Sequence, residues 1–332
     1  MQNMITDKTK KKIFVLGSGG TIAGLASSPV DFMGYTAGAA GVDSLLNRVP
    51  EIDELAELET EDFCGIASEN ATPEVWLNLA RRAEQILSAD DVDGLVVTSG
   101  TDTLEEMAYF LNLVLDTAKP VVVVGAMRPL SAYGTDGPVN LYNAVAVAAN
   151  PQSEGKGVLV VMNDTIISAR GVNKQDSCRL NTMGGGDFGT LGYVVAGNVH
   201  FSAAPCQRHT HNSEFRLTEI RDLPPVDIFY MSAGVDARLL SAMADLGACG
   251  VVLAGFGNGT FSDSVGDQLH DLIDEGLVCV ITSRCQTGLV RVTMPGLVAG
   301  GDLSPQKARV LLMLALAVGK TTEEIERCFI EY

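Results

Sequence analysis

Two turns that carry hydroxyl groups contain the residues of this chain best suited to chemistry. The first turn reaches Thr21 through two glycines and follows directly on the apolar run 13–16. The second turn covers residues 98–103 (TSGTDT) and follows the apolar run 94–97. Glycines let the backbone turn sharply and leave room for a substrate, so each turn can present a threonine oxygen to a carbonyl carbon.

A threonine hydroxyl is a poor nucleophile unless another group removes or shares its proton. Besides a water chain, the candidates are Tyr35, in a glycine-bounded segment that we interpret as a mobile lid, and Lys174, in a polar stretch. Asp102 lies among backbone N–H groups at the start of a predicted helix, and it suits capture of a substrate ammonium. Each of these side chains also has an ordinary interpretation, as a helix cap, a loop tyrosine or a surface lysine.

Several common site types do not fit the sequence. A dinucleotide fingerprint needs glycine where Ile22 stands, and a phosphate loop needs lysine and a hydroxyl where Leu25 and Ala26 stand. The four histidines have no metal-ligand spacing with the cysteines, and no serine lies in a G-x-S-x-G elbow. We therefore predict no metal and no organic cofactor.

Charge and composition limit the partners and the compartment. The 332 residues carry a formal net charge of −18, which disfavours a nucleic-acid partner. No stretch approaches the roughly 18 apolar residues of a membrane helix, and the polar, basic start before residues 13–16 predicts no secretory leader. Seven scattered cysteines without a C-x-x-C pair favour a reducing compartment. We predict a cytoplasmic protein, or a periplasmic one if a leader was removed.

Apolar runs alternate with amphipathic segments, and several runs are rich in valine, as in strands buried on both faces. This alternation predicts an α/β fold: a large N-terminal parallel-sheet domain with helices on both faces, plus a smaller C-terminal α/β domain. The predicted strands are 13–16, 64–67, 94–97, 120–124, 157–162, 227–231, 250–254 and 277–281. The predicted helices are 73–88, 103–115, 137–149, 237–246, 264–275, 305–318 and 322–330.

Local signals mark helix starts and one hairpin. Thr72 and Ser304 each precede a proline at a first helical position, where a capping hydroxyl is favoured. Residues 194–201 predict a β-hairpin. The pairs with capping-box spacing are Thr103 with Glu106 and Thr321 with Glu324.

A stretch without convincing periodicity separates the two predicted domains. Its histidines, His209 and His211, are expected to be solvated. The predicted bounds are 1–204 for the N-terminal catalytic domain, 205–225 for a linker and 226–332 for the C-terminal domain.

Taken together and in order, the motifs resemble the bacterial-type L-asparaginase family, including its glutaminase-asparaginase branch. The resemblance covers nearly the whole chain, and the two threonine turns are its most specific parts. The stretches that carry it are 19–24 (GGTIAG), 100–106 (GTDTLEE), 125–129 (GAMRP), 136–141 (DGPVNL), 161–164 (VMND), 255–259 (GFGNG) and 305–312 (PQKARVLL).

The resemblance implies catalytic roles. Thr21 would be the nucleophile that attacks a side-chain amide, and Tyr35 would be the lid residue that polarises it. Thr101, Asp102 and Lys174 match a second family constellation, in which the lysine and the aspartate tune a hydroxyl or a water.

The resemblance also implies substrate contacts and an assembly. Ser68 and Asp102 would hold the α-carboxylate and the α-amino group, and the Ala126 carbonyl would lie near the leaving amide. Glu69 stands where some members have glutamine, as in the branch with broader glutaminase activity. The family is typically a homotetramer of close dimers, with sites between the N-domain of one subunit and the C-domain of its partner. The remaining expected contacts are Gly20, Gly100, Thr101 and Thr260.

The chain departs from the family pattern in three places. Ser99 replaces a histidine that many members have, and Thr260 replaces asparagine or serine. Residues 288–295 lack the acidic residue that many members supply to the neighbouring subunit. Loss of a charge-assisted hydrogen bond to the substrate ammonium would cost about 1.5–3 kcal/mol.

The expected function is therefore an amidohydrolase that converts L-asparagine to L-aspartate and ammonia through an acyl-enzyme, with possible L-glutamine side activity. Its partner would be a small amino-acid substrate. One alternative is an amidotransferase component acting on aminoacyl-tRNA, which the acidic charge and the lack of an additional N-terminal domain disfavour. A second alternative is a non-catalytic amino-acid-binding homologue, which Ser99 and the missing carboxylate keep open.

Overall fold

The structure is a computed structural model, and it describes residues 10–186, 190–291 and 294–332. Most of the N-terminal stretch that predicts the absence of a leader lies outside these ranges, as do residues 292–293 of the segment without a carboxylate.

Within the described residues, the first part of the chain forms one eight-stranded sheet and a two-stranded ribbon of β7 and β8. The strands are β1 (Lys12–Gly19), β2 (Glu57–Ile66), β3 (Gly94–Thr98), β4 (Val121–Val124), β5 (Val158–Met162), β6 (Thr165–Ser168), β7 (Asn173–Lys174), β8 (Met183–Gly184), β9 (Gly192–Val195) and β10 (Asn198–Phe201). The large sheet has the order β10-β9-β6-β5-β4-β3-β1-β2. The five strands from β5 to β2 pair in parallel, as predicted.

The rest of the large sheet is antiparallel, so the sheet is mixed. Strand β6 is an addition to the prediction, and it returns from β5 through Asn163 and Asp164, with φ angles of 49° and 60°. The predicted hairpin over 194–201 is confirmed as β9 and β10, with Ala196 and Gly197 at positive φ. Two residues at positive φ match the twist of the paired strands, and this explains both reversals.

Helices cover both faces of the large sheet, because β1 sends alternate side chains to opposite faces. Ile13 and Val15 lie in one apolar cluster with α1 and α4, whereas Phe14 and Leu16 lie in another with α2 and α3. Helix α1 is an addition to the predicted set. The helix bounds are α1 (Val42–Leu46), α2 (Pro73–Leu87), α3 (Leu104–Val114), α4 (Gly137–Ala148), α5 (Arg238–Asp245), α6 (Asp263–Asp274), α7 (Pro305–Ala317) and α8 (Thr322–Glu331).

Three of the four predicted N-caps are present. The hydroxyls of Thr72 and Ser304 accept from backbone N–H groups, and Thr321 forms a full capping box with its glutamate. The box predicted at Thr103 is wrong. Its hydroxyl donates to the carbonyl of Ser68 at 2.9 Å, so a tertiary contact replaces the local cap.

The second part of the chain forms a smaller parallel sheet, as predicted. Its order is β11-β12-β13-β14, with α5 and α6 on one face and α7 on the other. Helix α7 also packs on α3, so one apolar cluster continues from the large domain into the small one. The strands are β11 (Val226–Tyr230), β12 (Gly250–Gly255), β13 (Val278–Ser283) and β14 (Leu297–Ala299).

The segment between the two sheets packs against the protein core. Phe215, Leu217 and Ile220 are buried in the cluster that contains α2 and α3. The expectation that His209 is solvated is wrong, because 7% of it is exposed and burial lowers its pKa. His211 is exposed, as expected. Short irregular chain can bury side chains one at a time, without the periodicity that a sequence pattern detects.

Charged side chains also join α3 to α7. The Glu106 carboxylate lies 3.8 Å from the Arg309 guanidinium, and its side chain is 17% exposed. Burial raises the pKa of Glu106 to about 7, against the opposing effect of Arg309.

The first prediction concerns the pH dependence of stability. A carboxyl whose pKa is raised on folding contributes stability below its unfolded pKa and loses it as pH rises through the folded pKa. The unfolding free energy of the wild type, minus that of Glu106→Gln, should fall by on the order of 3 kcal/mol between pH 4.5 and 7. Urea unfolding over this range measures it, with Glu326→Gln as a surface control. A difference that does not change with pH would contradict the assignment.

Candidate active site

The strand order places a crevice next to the two threonine turns. Chain connections leave β1 and β3 in opposite directions, because β2 lies on one side of this pair and β4 on the other. Ligands of open α/β sheets bind at such a point, outside the carboxyl ends of the strands. Thr21 follows the end of β1, and Thr101 lies three residues beyond the end of β3. Both predicted turns therefore face one crevice.

The two turns touch through glycine backbones. Gly20 has a φ of 81°, and a Cβ built on it would lie 2.1 Å from the Gly100 nitrogen. A Cβ on Gly100 would lie 2.6 Å from the Ser68 Oγ. The Gly20 N–H donates to the Ile66 carbonyl at 2.9 Å, and the Gly20 carbonyl accepts from the Gly38 N–H at 3.0 Å. Side chains are thus excluded at both glycines, and the first turn is fixed on two sides.

Thr21 and Tyr35 meet as the sequence predicts. Their hydroxyl oxygens are 2.7 Å apart, and 9% of Thr21 is exposed. The loop that carries Tyr35 is closed at its base by paired backbone hydrogen bonds between Leu25 and Thr36, at 3.1 and 2.9 Å. The Tyr35 ring lies against Gly24, where a Cβ would be 2.7 Å from the ring Cδ2. The hydroxyl pair is therefore held by backbone contacts.

A further segment, residues 128–133, holds the same loop from outside. The Ser131 hydroxyl accepts from the Ala26 N–H at 2.8 Å, and the Tyr133 N–H donates to the Pro29 carbonyl at 2.8 Å. The Arg128 guanidinium lies 5.4 Å from the centre of the Phe32 ring. No sequence motif predicts these contacts, because they join segments about a hundred residues apart.

The second predicted constellation is also assembled. The Lys174 Nζ donates to the Thr101 Oγ1 at 2.9 Å and to the Asp102 Oδ1 at 2.5 Å. The Asp102 N–H donates to the Ser68 Oγ at 3.2 Å. A charged amine thus reaches a hydroxyl and a carboxylate, while Ser68 ties the turn to the end of β2.

The remaining predicted residues differ in their placement. Glu69 is exposed and adjoins Ser68, whereas Ala126 is buried in the turn after β4. The Asp136 carboxylate shapes that turn by accepting from the Met127 and Arg128 N–H groups, at 3.0 and 2.9 Å. Thr260 lies in the small domain, and none of the hydrogen bonds of the described residues joins it to the threonine turns. It lines a cavity of about 270 Å³ with Asn258, Phe261, Ile281, Arg291 and Met294, among others.

Two buried charged residues that the sequence reading missed lie behind Lys174. The Glu105 carboxylate accepts from the Lys174 backbone N–H at 2.9 Å. The Lys307 ammonium is 1% exposed and donates to the carbonyls of Arg170 and Val172. Burial raises the pKa of Glu105 and lowers that of Lys307 to about 8. The sequence feature that could have indicated Lys307 is the presence of a lysine on the apolar face of α7.

The described residues contain neither a metal-binding cluster nor a membrane-spanning helix. No group of three or more histidine, cysteine, aspartate or glutamate side chains is arranged to hold a metal ion there. Among the helices of the same residues, none combines the length and the apolar character needed to cross a membrane.

Comparison with known proteins gives matches over nearly the whole chain. Residues 12–207 match the family model described as asparaginase, N-terminal, and residues 225–329 match the glutaminase/asparaginase C-terminal domain. L-asparaginase 2 of Bacillus subtilis is 41% identical, over 98% of this chain and 88% of that protein. A glutaminase-asparaginase of Pseudomonas fluorescens is 41% identical, over 99% and 92%.

A solved structure is also similar. The crystal structure of a probable cytoplasmic L-asparaginase from Campylobacter jejuni has a TM-score of 0.94 and 44% sequence identity. The match covers 97% of this chain and 100% of that one.

The second prediction concerns the glycine contact. Gly20→Ala should lower the unfolding free energy by about 3 kcal/mol or more, because the new methyl group overlaps the Gly100 backbone. Gly155→Ala is the matched control, since Gly155 also has a positive φ, of 68°, but nothing lies within 4 Å of its Cβ position. That variant should lose about 1 kcal/mol from the backbone conformation alone. Urea unfolding measures both losses. Equal losses of unfolding free energy in Gly20→Ala and Gly155→Ala would show that the contact between Gly20 and Gly100 imposes no constraint.

Proposed function

Since the chain belongs to the asparaginase family, we propose that it is an L-asparaginase, an amidohydrolase that converts L-asparagine to L-aspartate and ammonia. The observation that carries the proposal is the 2.7 Å contact between the hydroxyls of Thr21 and Tyr35 at the sheet crevice. Relatives named L-asparaginase and glutaminase-asparaginase support the same substrate class.

In the first half-reaction, the Thr21 Oγ attacks the side-chain carbonyl carbon of asparagine. The hydroxyl proton of Thr21 passes to the Tyr35 oxygen as the C–O bond forms, while Tyr35 gives its own phenolic proton toward the amide nitrogen, which makes the weakly nucleophilic threonine reactive. Backbone N–H groups near Thr101 stabilise the negative oxygen. The C–N bond then breaks, the nitrogen receives a proton and leaves as ammonia near the Ala126 carbonyl, and an aspartyl ester remains on Thr21.

In the second half-reaction, water attacks the ester carbonyl, and the Thr21 oxygen leaves and regains a proton. Thr101, Asp102 and Lys174 serve this step, because the Lys174 Nζ contacts the hydroxyl and the carboxylate together. Such an arrangement orients a hydroxyl that can in turn orient a water molecule. The products are L-aspartate and the free enzyme.

Ser68, Asp102 and the backbone at Gly20 and Gly100 bind the α-carboxylate and the α-amino group. The exposed Glu69 carboxylate adds an acceptor for the ammonium. L-glutamine is a second substrate in this proposal, and the relative named glutaminase-asparaginase supports it.

The protein assembles as a homotetramer of close dimers, in which Thr260 of one subunit completes the site of its neighbour. The placement of Thr260 in the small domain, apart from the threonine turns, supports this proposal. Residues 288–295 contain no carboxylate, so the substrate ammonium lacks a charged contact from the partner subunit. The loss of about 1.5–3 kcal/mol means that asparagine binds about 10- to 150-fold more weakly than it would with that contact.

We also propose a cytoplasmic location. Seven free cysteines and the similar Campylobacter jejuni structure, described as probably cytoplasmic, support it.

The third prediction tests the nucleophile. Thr21→Ala should lower ammonia release from L-asparagine at least about thousandfold, because the attacking oxygen is gone. Thr36→Ala, in the lid loop, is the matched control and should stay within about threefold, since its structural contacts are made by the backbone. Near-normal turnover by a folded Thr21→Ala protein would refute the assignment. A wild type that releases no ammonia from either amide would favour the non-catalytic alternative.

The fourth prediction tests the second constellation. Lys174→Met keeps the length of the side chain but removes the ammonium that contacts Thr101 and Asp102. We expect kcat to fall by about 100-fold or more with a small change in melting temperature. Lys156→Met, at an ammonium 4.8 Å from the Phe201 ring, is the control for loss of a lysine charge. Wild-type kcat in Lys174→Met would contradict the proposed role.

A further inference from the structure

We propose that Glu105 and Lys307 are positioning residues that hold Lys174 against Thr101 and Asp102 by fixing the backbone of residues 170–174. The inference rests on the proposed function, because it concerns the constellation that Lys174 completes. Neither residue belongs to the set that the sequence predicts for the site.

Glu105 holds Lys174 directly. Its carboxylate accepts from the Lys174 N–H at 2.9 Å, while the Nζ of the same lysine contacts Thr101 and Asp102. Thr101 and Asp102 lie in the turn that leads into α3, and Glu105 lies in the first turn of that helix, all within five residues of chain. The two ends of Lys174 are thus attached to one short stretch of chain at the entry to α3, which fixes where its ammonium lies.

Lys307 holds the residues that precede Lys174. It projects from the first turn of α7 in the small domain, and its ammonium donates to the carbonyls of Arg170 and Val172. Those carbonyls lie four and two residues before Lys174. The segment is therefore bonded both to a carboxylate on α3, which accepts from it, and to an ammonium on α7, which donates to it.

The energetics of burial favour a positioning role for this pair. Glu105 is 6% exposed and Lys307 is 1% exposed, and burial of a charge is costly unless hydrogen bonds satisfy it. Buried ionic pairs are often no more stabilising than apolar residues of similar size. The two charges attract each other, and each bonds to the backbone of the segment that carries Lys174. Arg170 and Asp302, joined at 2.7 Å, are the other charged groups that act on Lys307.

The neighbouring residue of the helix provides a matched control. Glu106 is also a largely buried carboxylate on the first turn of α3, and it too faces a cation of α7, Arg309. No hydrogen bond among the described residues joins Glu106 to residues 171–174. It therefore tests whether any buried charge between these helices has the same effect as Glu105.

The experiment compares two conservative changes, to glutamine and to aspartate, at Glu105 and at Glu106. Glu105→Gln keeps the reach of the acceptor oxygen and removes the charge, whereas Glu105→Asp keeps the charge and withdraws the oxygen by one methylene. We expect Glu105→Asp to lose about 10- to 100-fold in kcat for asparagine with KM within threefold, because small misplacements of catalytic groups are costly. Glu105→Gln should retain kcat within about threefold. Glu106→Gln and Glu106→Asp should both retain it within the same factor.

Three results would overturn the proposal. One is wild-type kcat in Glu105→Asp, and another is a loss in Glu105→Gln that equals the loss in Glu105→Asp. The third is an equal loss in Glu106→Asp, which would indicate a general structural role.

A measurement on the wild type covers the case in which Glu105→Asp does not fold. The Lys174 amide should exchange with deuterium as slowly as the amides of β3, because Glu105 accepts from it. Exchange as fast as that of exposed loop amides would contradict the proposal. Failure of the proposed function is distinct: a folded wild type would then release no ammonia, whereas failure of this inference leaves the wild type active.

Discussion

The structure of the site depends on one close approach, between the backbones of Gly20 and Gly100. It occurs where the strand order reverses, so the ends of β1 and β3 open into the same crevice. A side chain at either glycine would push the two turns apart. Because of this contact, Thr21 and Thr101 lie at one crevice, although eighty residues separate them in sequence. The same turn donates a hydrogen bond to the end of β2 and accepts one from Gly38, just beyond the lid, so the crevice, the lid and the sheet form one connected unit.

Around this contact, polar groups are held mainly by backbone partners. The Tyr35 loop is closed by paired amides and docked on residues 128–133, and the Lys174 segment is held by a buried carboxylate and a buried ammonium. The first arrangement orients a hydroxyl toward Thr21, and the second orients an amine toward Thr101. The small domain takes part through α7, whose Lys307 reaches into the large domain. Burial of these charges costs stability, and hydrogen bonds to the backbone offset that cost.

Sequence patterns predicted the parts of the fold and site that depend on local chemistry. The valine-rich runs gave most of the buried strands, and the glycines before Thr21 marked its turn, which now lies beside Tyr35. Patterns failed where distant segments decide the outcome. Thr103 has the spacing of a capping box, yet its hydroxyl bonds to Ser68 from another strand end. His209 has polar neighbours, yet it is buried. Lys307 and Glu105 lie in stretches that carry the family resemblance, but no role could be assigned to them, because their partners are backbone groups that only the folded chain brings near.

The most direct measurement is mass analysis of protein quenched in acid during turnover of isotope-labelled L-asparagine, followed by peptide mapping. We predict an aspartyl ester on the peptide that contains Thr21, absent when the same mapping is done on Thr21→Ala. An aspartyl group on any other residue would contradict the threonine nucleophile. So would sustained turnover of asparagine without a labelled protein, together with undiminished ammonia release after Thr21 is replaced.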